Sequence, residues 1–146
     1  VSATNRGAER RENDHYPTTP SLARFLVGQL REDFFPVDPP VNVLDPGCAR
    51  GSFLDACRTV FPSSTFVEGE EITPRLAERA EEKGYTVRNV DTLTYDARPD
   101  YHLVVGNPPF QLADEFIQTL YDHLDPAHGV LAFLLRLNYL GGQQRY

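Results

Sequence analysis

The first 14 residues are polar and show no hydrophobic period, which reads as a flexible N-terminal arm. Leu22, Phe25, Leu26 and Leu30 then fall on one face of a helix over residues 21–30, with Thr19 or Ser21 as its cap. Pro36, Pro39 and Pro40 break the chain. Val41-Asn42-Val43-Leu44 predicts a short buried strand, closed by the turn residues Asp45-Pro46-Gly47. Phe53, Ala56, Cys57 and Val60 return to helical spacing over residues 50–60, and Thr65-Phe66-Val67 opens a second strand. Thr73 before Pro74 starts the next helix, and Gly84, just past Lys83, stops it. Residues 85–90 and 102–105 read as third and fourth strands, the latter ending at Gly106. Leu112, Phe116, Ile117, Leu120 and Leu124 mark a further amphipathic helix, and the apolar run 129–135 a fifth strand.

Strands alternating with helices predict a mostly parallel α/β sheet with helices on both faces. A length of 146 residues allows one such domain, over residues 15–146 after the arm. In these sheets ligands bind beyond the carboxyl ends of the strands, where this chain carries glycine, acid or amide residues four times over. The net charge of −7 argues against a nonspecific polyanion binder, since nucleic-acid affinity draws on Lys and Arg at phosphates. The first 31 residues do carry five Arg against three acids, so any phosphate contact rests on local Arg placement or on a segment outside the chain. No apolar run approaches the ~18 residues of a membrane span. Four scattered His and two Cys give no metal spacing and no disulfide framework, and a reducing cytoplasm is the expected location.

Three segments carry chemistry. In Asp45-Pro46-Gly47-Cys48-Ala49-Arg50-Gly51, glycines let the backbone turn tightly toward a ligand, and a helix N-terminus offers free N–H groups. The same loop also serves as a plain strand-to-helix turn. Both the phosphate-loop Lys-Ser/Thr pair and the G-x-G-x-x-G pattern are absent. About 20 residues on, an acid ending the second strand is placed to accept from both hydroxyls of a ribose; strand register decides which acid, and Glu71 fits because Ile72 then lies against a purine face. Glu68 and Glu70 read as a solvated acidic run. Asp91, after the third strand, suits either an adenine amino group or a turn cap. Asn107-Pro108-Pro109-Phe110, after the fourth strand, is the most specific motif. An Asn side-chain carbonyl and a prolyl carbonyl each accept one N–H of a planar amine, the prolines stiffen the loop, and Phe110 offers an aromatic face. The alternative is a Pro-rich turn with an apolar plug.

Together these residues resemble the class I S-adenosylmethionine-dependent methyltransferases, and among them the amino-methyltransferases. The resemblance implies a Rossmann-like fold with S-adenosylmethionine as cofactor. Cofactor contacts would come from Asp45, Gly47, Cys48 and Gly51 in the loop, from Glu71 and Ile72, from Asp91 and from Asn107. Tyr16-Pro17-Thr18-Thr19-Pro20 is similar to an upstream element of DNA adenine methyltransferases, which implies that Tyr16, Thr19 and Pro20 hold the methionine end. Residues 134–145 resemble adenine methyltransferases of phage type. The implied reaction is methylation of the exocyclic amine of adenine in DNA, with Asn107, Pro108, Pro109 and Phe110 catalytic and the base flipped out. Alternatives are a protein glutamine amide, a guanine amine in RNA, or a noncatalytic cofactor-binding fragment. Two departures stand out. Ala49 occupies a loop position where many members carry glycine, and the chain stops before the antiparallel strands that flank the family's fifth strand. A DNA-reading region would then follow Tyr146, and the uncharged run 129–135 would be a bare sheet edge open to self-association or a partner chain.

Overall fold

The first apolar run forms β1 (Asn42–Pro46), the centre of a five-stranded sheet. The computed structural model describes residues 17–37, 41–64 and 66–141, so the expected arm over residues 1–14 and Tyr16 lie outside the described residues. In chain order the elements are α1 (Pro20–Phe34), β1, α2 (Ser52–Val60), β2 (Phe66–Glu70), α3 (Pro74–Glu81) and β3 (Thr86–Arg88). There follow β4 (Leu103–Gly106), a 3-10 turn (Phe110–Leu112), α4 (Ala113–Tyr121), β5 (Val130–Phe133) and a second 3-10 turn (Leu137–Gly141). The sheet order is β3-β2-β1-β4-β5, and all four pairings are parallel.

Alternation along the strands sorts the core into two layers. Val41, Val43, Leu103 and Val105 meet α1 and α2 through Ala23, Val27, Phe53, Ala56, Cys57 and Phe61. Their neighbours Leu44 and Val104 face the other way, onto Tyr101 and, in α4, Phe116 and Leu120. A third cluster joins Leu54 of α2 to Ala77 and Ala80 of α3, with Tyr85 and Val87 below them. Val67 packs against both this cluster and the α1–α2 layer. Thr19 caps α1 as expected, its hydroxyl accepting from the Leu22 N–H at 3.3 Å, with Pro20 beginning the helix.

Several boundaries differ from the sequence reading. β2 continues through the acidic residues, because Asp45 and Pro46 of β1 pair with Gly69 and Glu70. β3 covers three residues, since its sole ladder is with Glu68, Gly69 and Glu70 of β2. α4 ends at Tyr121, short of Leu124, where Tyr101 N–H and Asp125 N–H bridge the backbones of residues 101 and 123–125. Among the described residues β5 is an edge of the sheet, next to β4, and its four residues are all half-buried.

Candidate functional site

A cleft of about 320 Å³ opens beyond the carboxyl ends of β1, β2, β3 and β4. Its floor is the loop after β1. Gly47, Ala49 and Gly51 all take positive φ, at 75°, 47° and 80°, so the left-handed turn that glycine accommodates at two positions is borne by an alanine at the third. Gly51 caps α2 in that conformation. The Gly47 and Cys48 N–H groups donate to the Glu70 carbonyl, at 2.7 and 2.9 Å, which ties the loop to the end of β2. Cys48 is buried against Gly69, where any Cβ would stand 2.6 Å from its Sγ. Burial pushes the Cys48 thiol up, and nearby Asp45 and Glu71 add to it; Cys48 also lines the cleft.

Glu71 forms the next wall. It is only 6% exposed, and its two carboxylate oxygens accept from the Ala49 N–H at 2.9 Å and the Thr73 N–H at 2.8 Å. One carboxylate thus joins the loop after β1 to the start of α3. Ile72 lies beside it in the cleft. Asp45, at the end of β1, is also buried. Burial raises its carboxyl pKa well above the usual range, with the charge of Glu71 adding to the effect. Gly106 makes room for this carboxylate, since a Cβ there would sit 2.8 Å from Asp45 Oδ1.

The acids before Glu71 do not form a solvated run. Glu70 is completely buried and makes a bidentate ion pair with Arg98, Nε to Oε1 and Nη2 to Oε2, both at 2.7 Å. Glu68 Oε2 accepts from Arg88 Nη2 at 2.7 Å and from the Tyr101 hydroxyl at 2.9 Å. The cause is the extra length of β2: as strand residues two apart, Glu68 and Glu70 share a face, and later segments of chain cover it. Asp91 lines the cleft and also caps its own turn, Oδ1 accepting from the Leu93 N–H at 3.1 Å. Of the two functions expected of it, the turn cap is the one observed.

The fourth wall is the motif after β4. Asn107 and Pro109 line the cleft, together with Phe116 from α4. Pro108 is buried, and the Pro109 carbonyl accepts from the Leu112 N–H at 2.9 Å to start the 3-10 turn. Asn107 Nδ2 donates to Thr18 Oγ1 at 3.1 Å, which joins the motif to the segment before α1. In that segment Pro17 and Thr18 line the cleft, whereas the expected Thr19 and Pro20 are exposed and begin α1. The Thr19 hydroxyl turns to the helix because the N–H groups of the first turn need acceptors. Phe110 lies outside the lining, and the Arg136 guanidinium stands 4.6 Å from its ring centroid. Thr18, Gly69, Arg98 and Arg136 are residues to which the sequence gave no role of their own, and Gly106 entered only as the end of a strand. Among the described residues no group of three or more His, Cys, Asp or Glu is placed to hold a metal.

No protein-family model matches the chain. Among curated proteins it is 37% identical over 93 residues to the type II methyltransferase M.CvrRI of Paramecium bursaria Chlorella virus XZ-6E, covering 63% of this chain and 23% of that one. It is 33% identical over 98 residues to the type II methyltransferase M.TthHB8I of Thermus thermophilus, covering 67% and 21%. The chain therefore spans less than a quarter of the length of these relatives. Among solved structures it resembles the ribosomal protein L11 methylase of Lactobacillus delbrueckii subsp. bulgaricus, with a TM-score of 0.68 and 18% identity over 84% of this chain and 63% of that one. It also resembles CalS10, an amino pentose methyltransferase from Micromonospora echinaspora solved with S-adenosylmethionine bound, with a TM-score of 0.66 and 19% identity over 100% and 59%. The described residues have the Rossmann-like fold of the class I S-adenosylmethionine-dependent methyltransferases, and the sequence is related to type II methyltransferases.

Proposed function

We propose that the chain binds S-adenosylmethionine in this cleft and supports methyl transfer to the exocyclic amine of adenine in DNA. The observation that carries the reading is the meeting of the glycine loop, Glu71, Asp91, Asn107 and Pro109 around one cavity. Its volume of about 320 Å³ is at the lower end of ligand pockets, which run from roughly 300 to 1,000 Å³. The residues suit the cofactor chemically: Glu71 is a buried acceptor for ribose hydroxyls, Ile72 gives an apolar face for the purine, and Asp91 accepts from the adenine amine. Two type II methyltransferases as sequence relatives support the same reading.

The bound cofactor supplies an electrophilic methyl on a sulfonium. The chain's own residues hold the acceptor. With Nδ2 of Asn107 donating to Thr18, its carbonyl end is the acceptor for one N–H of the target amine, and the Pro108 carbonyl takes the other. Holding both N–H groups aims the nitrogen lone pair at the methyl group, so rate comes from positioning. No base is needed before attack, because the amine becomes acidic only once methylated. Phe110 stacks on the flipped base, its ring steadied by Arg136. The test is transfer of tritiated methyl to unmethylated DNA, with tRNA and release-factor protein alongside. Label in DNA alone, at the adenine amine, is the expected result, and label in RNA or at a protein glutamine would move the substrate assignment.

β5 bears on assembly. Residues 129–135 carry neither charge nor proline, and the strand is an open edge whose residues are half-buried. We propose that it pairs with a further strand, in the isolated chain that of a second copy. Light scattering should show concentration-dependent association. A monomer at high concentration would remove the proposal.

A further inference from the structure

Glu70 links three of the cleft's walls. Its carbonyl holds the Gly47 and Cys48 N–H groups, its carboxylate holds Arg98, and the peptide bond that follows it leads directly into Glu71. Arg98 in turn fixes the stretch between β3 and β4, which has no regular secondary structure beyond a turn at residues 92–94. Its Nη2 donates to the Thr92 carbonyl at 2.7 Å, its Nη1 donates to the Tyr95 carbonyl, and the Thr92 hydroxyl donates to Glu70 Oε2 at 2.9 Å. Both side chains of the pair are fully buried, so solvent does not screen it. The turn held in this way begins at Asp91, which lines the cleft and whose carbonyl accepts from the Thr94 and Tyr95 N–H groups.

A buried ion pair is a costly way to stabilise a loop, since an apolar pair of similar volume often serves as well or better. What the guanidinium provides is direction. Its planar fork spans both carboxylate oxygens and reaches two carbonyls on either side of the turn, which no apolar pair can do. We propose that Glu70 and Arg98 are positioning residues that hold Asp91 in place to read the nucleobase amine of the cofactor. This rests on the cofactor reading above and goes beyond it by assigning the nucleobase selectivity to residues outside the cleft.

The experiment compares the parent chain, Arg98→Lys and the double variant Glu70→Met with Arg98→Met, each first shown folded by circular dichroism. The double variant replaces the pair with apolar side chains, and Arg98→Lys keeps the charge without the fork, so the test survives if either one fails to fold. Each protein is titrated calorimetrically with S-adenosylhomocysteine and with S-inosylhomocysteine, in which an oxo group replaces the amine. The parent should prefer the adenosyl ligand about tenfold or more, the scale of one hydrogen bond to a charged acceptor. In the folded variants that preference should fall to about threefold or less, while the inosyl ligand, which makes no amine contact, binds about as in the parent. A folded variant that keeps the parent's preference would overturn the positioning role alone. A parent that binds both ligands alike would overturn the Asp91 contact and the positioning role with it. A parent that binds neither would instead overturn the cofactor reading itself.

Discussion

Around the ends of β1, β2 and β3 the chain supplies its own partners. The glycine loop is bonded to the Glu70 carbonyl and to Glu71, Cys48 packs on Gly69, and Arg98 pins the turn of Asp91 to Glu70. Around β4 one tie reaches much further along the chain. Asn107 is bonded to Thr18, which is 89 residues away in sequence, Phe110 meets an exposed Arg136, and β5 is an open edge. On the proposed reading, the first region is the receptor for the cofactor and the second the side that presents the methyl acceptor. The difference follows from the cost of order: a site that always meets the same cofactor gains from rigidity, because less freedom is lost on binding.

The largest effect that would break this contrast is in the first region. Glu70→Ala leaves Arg98 buried without its partner and should cost about 3–5 kcal/mol of stability, measured by urea unfolding. A cost below 1 kcal/mol would mean that the three walls are held by other means.

Asn107→Ala acts in the second region. Methyl transfer should fall roughly 100-fold or more, as expected when a reacting group loses its orientation. S-adenosylhomocysteine binding should change little, and single-turnover transfer measured beside calorimetry separates the two. Equal loss of both would merge the regions into one.

A smaller effect sharpens the account of the loop. Ala49 sits at φ 47°, so Ala49→Gly should relieve about 1 kcal/mol of strain and raise the melting temperature by about 2–4 °C. A lower melting temperature would show that the alanine methyl packs more than it strains.

The same contrast governs what could be read in the sequence. Strands at 41–44 and 102–105 were legible because they are short apolar runs between turn signals, and the motif after β4 stood out because Asn-Pro-Pro-Phe is stiff and unusual. Glu71 was placed by its distance from the glycine loop, and it does line the cleft. Glu70 was misread because composition shows three acids in four residues, whereas its burial depends on Arg98, 28 residues later. Gly69 gave no local signal, and Gly106 only that of a strand end. Each is required by a side chain from the neighbouring β1 segment, Cys48 in one case and Asp45 in the other. Pairings across the sheet carry no signature along the chain. Thr18 was overlooked beside Thr19 because capping favours either hydroxyl, and only the fold shows which one turns to Asn107.

The central claim is that Glu71 and the loop it holds form a cofactor site, and calorimetric titration with S-adenosylhomocysteine tests it most directly. The parent should bind at one site, and Glu71→Ala should lose about 1–3 kcal/mol of that binding, the scale for hydrogen bonds to a charged group. Binding unchanged in Glu71→Ala, or no binding by the folded parent, would contradict the account.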